Sequence, residues 1–485
     1  MIPLFVFNLS LHFVSFFPLF VPQCVAMERK RDSIPSARAR KRGKRGKEKA
    51  NEVVSQEIGS CFSDFPFPIT THILLQLPIK SVLICKRVCR TWNTLISDPY
   101  FAELHFKLSR IGYMIRTCDP KLVSRTMCLL ENELHEFDNE WDRILKLEPT
   151  FKLPLRDAKL VLDKRDEANG MLVCKPKDHR FVVANSCNGL LCLCDPINKD
   201  PLIVCNPITS EFIRLPKVTR TPEKSQRPIC SGIGFQPKTN EYKVIRMWNN
   251  YDNYVFQGIA VEIHKVGTST WRNVRVDRSI FTWRLEHPTF LNGSLHWILF
   301  DSRRWSILRF NFETEKLKLF PSPSFTHNGL PLPHKEGVSM GALEDSLYIC
   351  YVNLISYVEV WVMKKYGSKK SWTKVFSNHS FGAPHRDISL CWPVIHFEKV
   401  TALLEYHSDV GFTYCKPEKN RLKRFLVCGT KAKLLEVIPH IPSLISLKDV
   451  VKGDNIEVLN LNVHSRCAKF KLPEENEVLY LAQDF

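Results

Sequence analysis

Residues 76–98 read QLPIKSVLICKRVCRTWNTLISD, a short apolar stretch in which lysine and arginine recur. Wound as one helix from Val82 to Ile96, at roughly 100° per residue, the stretch places two apolar stripes side by side. The stripes consist of Val82, Cys85, Cys89, Trp92 and Ile96, and of Ile84, Val88 and Leu95. Together they cover about half of the helix circumference, more than the ~100° that one packing surface requires. The pattern therefore predicts that something else covers the remainder.

One further short helix is predicted on each side of this stretch. Upstream, residues 65–78 (FPFPITTHILLQLP) offer Pro68 for a first helical turn and Pro78 as a stop. Downstream, Asp98 is a predicted N-cap with Pro99 at the first helical position. Three helices in under ~50 residues bury so little apolar surface that they are only marginally stable as an isolated unit. A partner chain is therefore expected to cover them.

The same segment carries a series of motifs in a defined order and spacing. The motifs are Phe65-Pro66, Ile73-Leu74, Leu77-Pro78-Ile79-Lys80-Ser81, Val88-Cys89-Arg90-Thr91-Trp92 and Leu95-Ile96-Ser97-Asp98-Pro99. Together they resemble the F-box of the large plant F-box family. The resemblance implies docking onto a Skp-type adaptor and, through the adaptor, onto a cullin in an SCF-type ubiquitin ligase. A helical cap on a larger domain is the alternative interpretation.

Nine residues are predicted to contact the adaptor, although some of them must instead hold the three helices together. They are Phe65, Pro66, Ile73, Leu77, Pro78, Val82, Val88, Trp92 and Leu95. Family members usually carry acidic residues before the first helix and a glutamate just ahead of the Ile-Leu pair, whereas this chain has Thr70 and His72 there. The apolar contacts that should carry most of the docking affinity are retained.

A basic segment precedes the helices. The whole chain has 485 residues, enough for two or three domains, and a net charge of +19. Between Met27 and Lys49, eleven Lys or Arg residues stand against three Asp or Glu residues. Residues 27–57 cannot bury a core and are predicted to form a disordered basic arm. The arm is interpreted as a nuclear localisation signal or a segment that contacts nucleic acid, and a solvated linker is the alternative. Nuclear localisation is favoured over nucleic-acid contact, because no aromatic residues interleave the charges to stack on bases. The signal would comprise Lys41, Arg42, Lys44, Arg45 and Lys47.

The first 26 residues are uncharged and largely apolar. This pattern suggests a signal peptide or membrane anchor, but a basic start is missing and Pro18 and Pro22 interrupt the stretch. An extension of the gene model, with Met27 as the working start, is the alternative. Seventeen cysteines, scattered among apolar residues, fit buried thiols in a reducing compartment. The expected location is the nucleus and cytoplasm, and membrane association is not expected.

After the helices, short apolar strands alternate with Pro, Asn, Gly and Thr in a repeating unit of about 50 residues, close to the spacing of kelch-type blades. Equivalent positions in five units are Leu190, Tyr242, Leu295, Leu347 and Leu403. Each unit is predicted to contain an inner apolar strand followed by a hairpin, and Asn292-Gly293 is predicted to be a hairpin turn. Stacking of successive units must supply the core, since a single hairpin is marginal in water.

Two strands illustrate the predicted alternation. In residues 294–300 (SLHWILF), the odd-numbered Leu and Trp side chains should face the core and the even-numbered ones the other side, as in a half-buried strand. In residues 313–320, Leu317 and Leu319 should share the buried face. An irregular β-propeller of about five to seven blades is favoured. A pair of packed sheets in a β-sandwich is the competing architecture.

This half of the chain carries a second resemblance. It rests on residues 185–193 (NSCNGLLCL), 205–211 (CNPITSE), Gly234-Phe235 followed by Glu241-Tyr242-Lys243-Val244, and residues 293–297 (GSLHW). These look like the F-box-associated domain of the same plant family. The two resemblances together cover roughly residues 60–445, and the last forty residues resemble no known family.

Signatures of catalysis are missing from the sequence: it contains no P-loop, no GxGxxG after a strand, no HExxH and no nucleophile elbow. Cys187, Cys192, Cys194 and Cys205 form the densest thiol cluster, but zinc sites prefer two separated C-x2-4-C pairs, so the cluster is expected to be core. Isolated histidines such as His264 and His296 are expected to be hydrogen-bonded or solvent-facing. No catalytic residue, metal or cofactor is predicted.

The sequence therefore predicts an α+β multidomain chain, with a small three-helix F-box followed by an all-β, irregular β-propeller-like domain. The expected divisions are an apolar segment (1–26), the basic arm (27–57), the F-box (58–106), the β-domain (107–445) and a C-terminal extension (446–485). The expected function is a non-catalytic substrate receptor that binds a Skp-type adaptor and an unknown target protein, without nucleic acid. The alternative is a nuclear interaction scaffold that acts without a ligase and contacts nucleic acid through the basic arm.

Overall fold

The computed structural model of the chain contains two compact units, Met1–Ser109 and Arg110–Phe485. The residues that it describes are 66–117, 126–131, 145–147, 150–154, 181–216, 226–253, 255–276, 284–300, 305–323, 338–343, 345–352, 357–379, 388–396, 399–407, 411–416, 421–427, 434–451, 457–461, 469–471 and 478–480. The apolar segment and the basic arm lie outside these residues. In the described part of the chain, no helix combines the length and the apolar character that a membrane crossing requires.

The described part of the first unit is helical. Its helices are α1 (Phe67–Leu75), α2 (Ile79–Cys85), α3 (Arg90–Ile96) and α4 (Pro99–Leu108). The prediction of one continuous helix from Val82 to Ile96 is wrong, because the chain turns after Cys85 and Cys89 adopts an extended conformation. The break allows α2 and α3 to direct their apolar faces into one small core, which a straight helix of the same length would not permit.

Both predicted helix starts are confirmed. Pro68 lies in the first turn of α1, where its missing N–H is not needed. The Asp98 carboxylate caps α4 by accepting hydrogen bonds from the backbone N–H groups of Tyr100, at 2.8 Å, and Phe101, at 3.3 Å. Pro78 does not stop the first helix, which ends at Leu75. It is instead the residue that precedes α2.

The described part of the second unit is almost entirely β-structure. Its strands are β1 (Gly112–Thr117), β2 (Thr126–Leu130), β3 (Leu145–Leu147), β4 (Phe151–Lys152), β5 (Val182–Cys187), β6 (Leu190–Cys194), β7 (Pro201–Asn206), β8 (Glu211–Arg214), β9 (Gln226–Gln236), β10 (Glu241–Asp252), β11 (Val255–Lys265), β12 (Arg272–Val274), β13 (Arg284–Leu291), β14 (Ser294–Phe300), β15 (Trp305–Asn311), β16 (Lys316–Phe320), β17 (Val338–Leu343), β18 (Ser346–Val352), β19 (Tyr357–Met363), β20 (Trp372–His379), β21 (Ile388–His396), β22 (Lys399–His407), β23 (Gly411–Lys416), β24 (Arg421–Val427), β25 (Leu434–His440), β26 (Leu459–Asn460), β27 (Lys469–Lys471) and β28 (Val478–Tyr480). One short helix, α5 (Leu447–Val450), follows β25.

In the described residues, these strands form six sheets of four or five strands each and one separate hairpin, β27-β28. In chain order, the sheets are β25-β1-β2-β4, β26-β8-β7-β6-β5, β12-β11-β10-β9, β13-β14-β15-β16, β17-β18-β19-β20 and β21-β22-β23-β24-β3. They are called the first to sixth sheets below. The strands β25, β5, β9, β13, β17 and β21 contact one another in this order, so that one edge strand of each sheet lines the centre. This is the predicted β-propeller, with each sheet forming one blade.

The predicted repeat is confirmed, but its position within the blade is corrected. Leu190, Tyr242, Leu295, Leu347 and Leu403 all lie in the second strand of a sheet. The prediction that these are the inner strands is wrong. The inner strand of the third sheet, β9, carries Gly232 and Gly234, where side chains of neighbouring blades approach too closely for a Cβ atom.

The strand SLHWILF is buried on both faces rather than on one. Leu295 and Trp297 pack between the third and fourth sheets, whereas Ile298 packs between the fourth and fifth. The predicted alternation is therefore correct, and the predicted solvent face is wrong because a blade has a neighbour on each side. The pairing of Leu317 and Leu319 on one buried face is also wrong. Leu317 is buried, but Leu319 is 62% exposed on the outermost strand β16.

The Asn292-Gly293 hairpin turn is confirmed. It links β13 to β14, and both residues have positive φ angles, 48° and 62°. A type I′ turn requires this at both central positions, which is why Asn-Gly suits it.

Two tryptophans join adjacent blades in the same way. The Trp271 indole N–H donates a hydrogen bond to the Pro216 carbonyl at 3.0 Å, and Trp372 donates to Pro321 at 3.0 Å. In each case the tryptophan directly precedes or begins the fourth strand of its sheet, counted from the centre, and the proline follows the fourth strand of the preceding blade. The repeat thus extends from strand spacing to the contacts between blades.

The segment after β25 packs against the second sheet. The buried Asn206 side chain donates to the carbonyls of Ser443 and Ile445, at 3.0 and 2.8 Å. The Glu211 carboxylate accepts hydrogen bonds from the Ser446 hydroxyl and the Leu447 N–H. Strand β26 then pairs with the outer edge of β8. We call the described residues 441–451 and 457–461 the C-terminal strap.

Candidate functional site

The helical unit has a compact core of its own. Its buried apolar residues are Leu74, Leu77, Ile79, Val82, Cys85, Trp92, Leu95, Ile96, Phe101 and Ala102. They come from all four helices and from the α1–α2 turn, so the core depends on each element. The unit therefore buries much of its apolar surface within its own core.

A buried histidine fixes the turn between α1 and α2. The Nε2 atom of His105, in α4, lies 3.1 Å from the Leu77 carbonyl oxygen, and Nδ1 lies 3.1 Å from the Ser109 hydroxyl. Burial lowers the pKa of His105, which favours the neutral ring. Since a carbonyl oxygen only accepts, the proton lies on Nε2. This bond holds the Leu77-Pro78 turn against α4.

The nine predicted adaptor-contacting residues divide into three groups. Leu77, Val82, Trp92 and Leu95 are buried in the core of the unit, between 0% and 7% exposed. Pro66 is exposed, and Ile73, Pro78 and Val88 are half-buried, whereas Phe65 lies outside the described residues. The first group supports the fold, and the second group remains available to a partner.

The helical unit also exposes large apolar side chains. Of the eight most exposed in the described part of the chain, five belong to this unit: Phe67, Ile69, Ile84, Tyr100 and Leu108. Their exposed fractions range from 47% to 69%. Isolated exposed apolar residues are ordinary on a protein surface, but five among so few residues indicate surface that a partner would cover.

The sequence pattern identified only part of this exposed surface. It placed Ile84, Val88 and Leu95 on a second stripe that needed covering. Ile84 is exposed and Val88 is half-buried, whereas Leu95 is buried. The pattern missed Phe67 and Tyr100, which occupy the first turns of α1 and α4 and lie off the core-facing stripes. Their position beside the helix-starting prolines Pro68 and Pro99 is the signal that could have indicated them, because a first turn projects from the packed bundle.

The second unit contains buried thiols and histidines rather than a reactive cluster. Cys187, Cys192, Cys194 and Cys205 are all buried, as predicted for core residues. Burial raises the pKa of the Cys192 and Cys205 thiols, which disfavours the nucleophilic thiolate. In the residues that the structure describes, no three or more His, Cys, Asp or Glu side chains are grouped to hold a metal ion.

The two named histidines of this unit are hydrogen-bonded. His264 Nδ1 lies 3.0 Å from the Thr270 carbonyl oxygen. His296 is fully buried between the Thr289 carbonyl oxygen, at 3.2 Å, and the Tyr366 hydroxyl, at 2.8 Å. The expectation of satisfied side chains is confirmed for both.

Comparison with protein families gives two matches. The F-box domain matches residues 62–104, and the F-box associated beta propeller domain matches residues 163–447, more than half of the chain. The F-box protein At3g07870 of Arabidopsis thaliana is 27% identical, over 66% of this chain and 74% of its own length. The F-box/kelch-repeat protein At3g23880 of Arabidopsis thaliana is 23% identical, over 73% of this chain and 88% of its own length.

Similarity to solved structures is weak. A Mycobacterium tuberculosis puromycin-hydrolyzing peptidase aligns over 68% of this chain and 48% of its own, with 10% identity and a TM-score of 0.31. A similarity of this size carries no argument about fold or activity. The family matches, the helical unit and the propeller agree with one another. The chain belongs to the plant F-box proteins that carry an F-box-associated β-propeller domain.

Proposed function

We propose that this chain is the substrate-recognition subunit of an SCF-type ubiquitin ligase. The F-box binds a Skp-type adaptor, which links the chain to a cullin, and the propeller binds a target protein. Ubiquitin transfer belongs to other subunits, so the chain acts by holding two partners together. The single observation that supports this proposal best is the set of large apolar side chains that the F-box unit exposes.

The proposed adaptor surface combines the exposed and half-buried residues of the F-box unit. Its members are Pro66, Phe67, Ile69, Ile73, Pro78, Ile84, Val88 and Tyr100. Desolvating such side chains releases roughly 25 cal/mol per Å² of apolar area. Aromatic anchors such as Phe67 and Tyr100 are typical of the residues that dominate binding energy. The buried residues Leu77 and Trp92 hold this surface in shape.

The test is adaptor co-purification with the double variant Phe67→Glu/Ile84→Glu. Both side chains are exposed, at 59% and 47%, so the variant should fold while adaptor binding falls by at least tenfold. Leu319→Glu is a matched control, since Leu319 is 62% exposed in the propeller. Substitution of Leu77 would be a poorer test, because a buried residue affects folding as well as binding.

The outcome separates the two candidate functions. Undiminished adaptor binding by the double variant, with an unchanged thermal melt, would reject the docking surface. If the adaptor does not bind the wild-type chain at all, the alternative of a scaffold acting without a ligase gains support. That scaffold would bind nucleic acid with a strong salt dependence that disappears when residues 29–49 are deleted.

The proposed location is the nucleus and cytoplasm. The basic cluster formed by Lys41, Arg42, Lys44, Arg45 and Lys47 supports nuclear import, because dense Lys and Arg runs are the usual import signal. A fluorescent fusion in which these five residues are changed to alanine should move from the nucleus to the cytoplasm.

A further inference from the structure

The loop between β19 and β20 carries an unusual concentration of positive charge. Residues 364–371 read KKYGSKKS, with four lysines and no acidic residue. Lys364, Lys365, Lys369 and Lys370 are all exposed. We call residues 364–371 the basic loop. A short 3-10 turn, Lys369–Ser371, closes it before β20 begins.

The backbone of the basic loop is fixed by its own hydrogen bonds. The Lys364 N–H donates to the Ser371 carbonyl at 3.1 Å, which closes the loop at its base. Inside the loop, the Ser371 hydroxyl donates to the Lys365 carbonyl at 2.8 Å, and the Ser368 N–H donates to the same carbonyl at 3.0 Å. The lysines are therefore presented from an ordered turn rather than from a flexible chain.

Tyr366 attaches the loop to the neighbouring blade. Its hydroxyl lies 2.8 Å from Nε2 of the buried His296, and its ring packs against Phe320 with centroids 5.0 Å apart. His296 Nδ1 faces the Thr289 carbonyl oxygen, which accepts a hydrogen bond from the Nδ1–H group. In the neutral ring, Nε2 then accepts a hydrogen bond from the Tyr366 hydroxyl. The position of the loop is thus set by the fourth sheet as well as the fifth.

Three of the four loop lysines are not neutralised by the described parts of the protein. The Glu359 carboxylate, on the same hairpin, is bound by Lys374 at 3.1 Å and by the Trp361 indole N–H at 2.9 Å. Lys365, Lys369 and Lys370 form no ion pair with a carboxylate of a described residue. Since like charges held on one loop repel each other, an external counter-charge at these three lysines would be favourable.

We propose that the basic loop binds an acidic, carboxylate-rich segment of a partner protein. Lysine presents compact charges on flexible stems, which suits several separate carboxylates, whereas phosphate recognition favours the bidentate arginine that this loop lacks. Tyr366 is half-buried and Trp372 is buried, so neither offers the exposed aromatic face on which nucleic-acid bases stack. An acidic peptide is therefore the ligand class that the chemistry favours.

This inference rests on the proposed function in one respect: it takes the partner to be the target protein. The segment of the target that the basic loop recognises then carries several Asp or Glu residues. The basic loop also has an open tip, since a side chain added at Gly367 would meet no atom within 4 Å. A peptide can therefore approach without displacing part of the propeller.

The contact can be mapped on the full chain with an oligoglutamate peptide and a carbodiimide, which joins a carboxylate directly to a lysine amine. Mass spectrometry should find the peptide on Lys365, Lys369 and Lys370. The comparison lysines are Lys152, Lys318 and Lys448, which are exposed on other elements. If these react as strongly as the loop lysines, the attraction is general and the proposal is overturned.

Affinity provides the second measurement. The triple variant Lys365→Glu/Lys369→Glu/Lys370→Glu should bind fluorescent oligoglutamate about tenfold more weakly, as expected from a few weak ion pairs acting together. The matched control is Lys152→Glu/Lys318→Glu/Lys448→Glu, which changes the net charge equally. Both variants retain the basic arm, so its own attraction for the peptide cancels. An equal loss in both variants would overturn the proposal.

Two further readouts separate the explanations. The first is the affinity of the wild-type chain for a short DNA duplex, compared with its affinity for oligoglutamate. If the duplex binds more tightly than oligoglutamate does, and the loop variant loses that binding, the loop binds nucleic acid and the proposal is overturned. Adaptor co-purification should be unchanged in the loop variant. If the wild-type chain fails to bind the adaptor, the ligase function fails, while the cross-linking result still decides the role of the loop.

Discussion

Buried histidines are the residues at which this fold is most sensitive to acid. His440, in β25, is 1% exposed; its Nδ1 lies 2.9 Å from the Ser186 hydroxyl, and its buried Nε2 has no hydrogen-bond partner among the described residues. Burial lowers the pKa of His440 to about 3, and that of His296 also to about 3. In the unfolded chain a histidine titrates near pH 6.5. Below about pH 6.5, the unfolded state therefore binds more protons, and the folded state loses stability.

His440→Leu should remove one part of this acid sensitivity. Between pH 7.5 and pH 5.0, the free energy of unfolding of the wild type should fall by about 2 kcal/mol more than that of the variant. The reason is that one histidine protonated only in the unfolded state contributes ~1.4 kcal/mol per pH unit below pH 6.5. Urea unfolding at the two pH values measures this difference. Ser186→Ala is the control, since it removes the hydrogen bond but keeps the histidine and its pH dependence. Equal pH slopes in wild type and His440→Leu would contradict the argument.

At this scale, the sequence predicts roles that depend on local chemistry but does not separate roles that depend on burial. The pattern predicts Asp98 as a helix cap because its carboxylate needs only the next few backbone N–H groups. Leu77 and Trp92 are among the nine residues predicted either to contact the adaptor or to hold the helices together, and both lie in the core of the F-box unit. An apolar stripe has the same pattern whether it faces its own helices or a partner.

The inner strands are the elements that crowding constrains most strongly. Gly234, in β9, faces Phe312 of the neighbouring blade, and a side chain at Gly234 would overlap the Phe312 ring. Phe312 is fully buried, so it has no room to move aside. Gly341, in β17, faces Tyr348 on the paired strand β18 of its own blade, and a side chain at Gly341 would overlap the Tyr348 ring. These glycines are required by close approach between elements and not by an unusual backbone conformation.

Gly234→Ala should lower the free energy of unfolding by about 2 kcal/mol, since overpacking a rigid core typically costs 1–3 kcal/mol. Phe312→Leu removes the ring atoms that the new methyl group would meet. In the double variant, the combined loss should therefore be smaller than the sum of the two single losses, by at least about 0.5 kcal/mol. Chemical denaturation of the four proteins gives this coupling. Strictly additive losses would show that Gly234 and Phe312 do not constrain each other.

Strands differ in how well their sequences predict them. The second strand of each blade is an apolar run such as LLCLC or SLHWILF, and these runs gave the correct repeat. The inner strand β9 reads QRPICSGIGFQ, which suggests a turn as much as a strand because it contains proline and glycine. Its composition follows from the crowded centre of the propeller, which is visible only once the blades are assembled.

At the scale of the whole propeller, closure depends on segments that are distant in sequence. Strand β25 joins β1, β2 and β4 in the first sheet, and β3 pairs in parallel with β24 in the sixth sheet. Blades at the junction thus combine residues from both ends of the unit. A spacing of about 50 residues predicts consecutive blades well, but it carries no information about a blade assembled from separate segments. This is why the repeat of about 50 residues does not extend to residues 111–180 or to the C-terminal end.

The C-terminal strap adds to this closure, and its contacts with the second sheet through Ser443, Ile445, Ser446 and Leu447 lie at the end of the segment that matches the family domain, residues 163–447. The side chain of Leu447 is fully buried in the core cluster of the second and third sheets. Asn206 and Glu211 each hydrogen-bond to the strap, and both are buried. Without the strap, these two polar groups would lose partners while remaining largely shielded from water, at about 1–3 kcal/mol each.

Truncation after His440 should therefore destabilise the propeller severely, by about 4 kcal/mol or more, because it combines two unsatisfied polar groups with the cavity left by Leu447. Truncation after Val451 is the matched control. It keeps Leu447 and the bonds to Asn206 and Glu211, and among the described residues it removes the short strand β26 and the β27-β28 hairpin. The control should have nearly the same soluble yield and the same free energy of unfolding in urea as the full chain. Equal stability of the two truncated proteins would show that blade packing alone closes the ring.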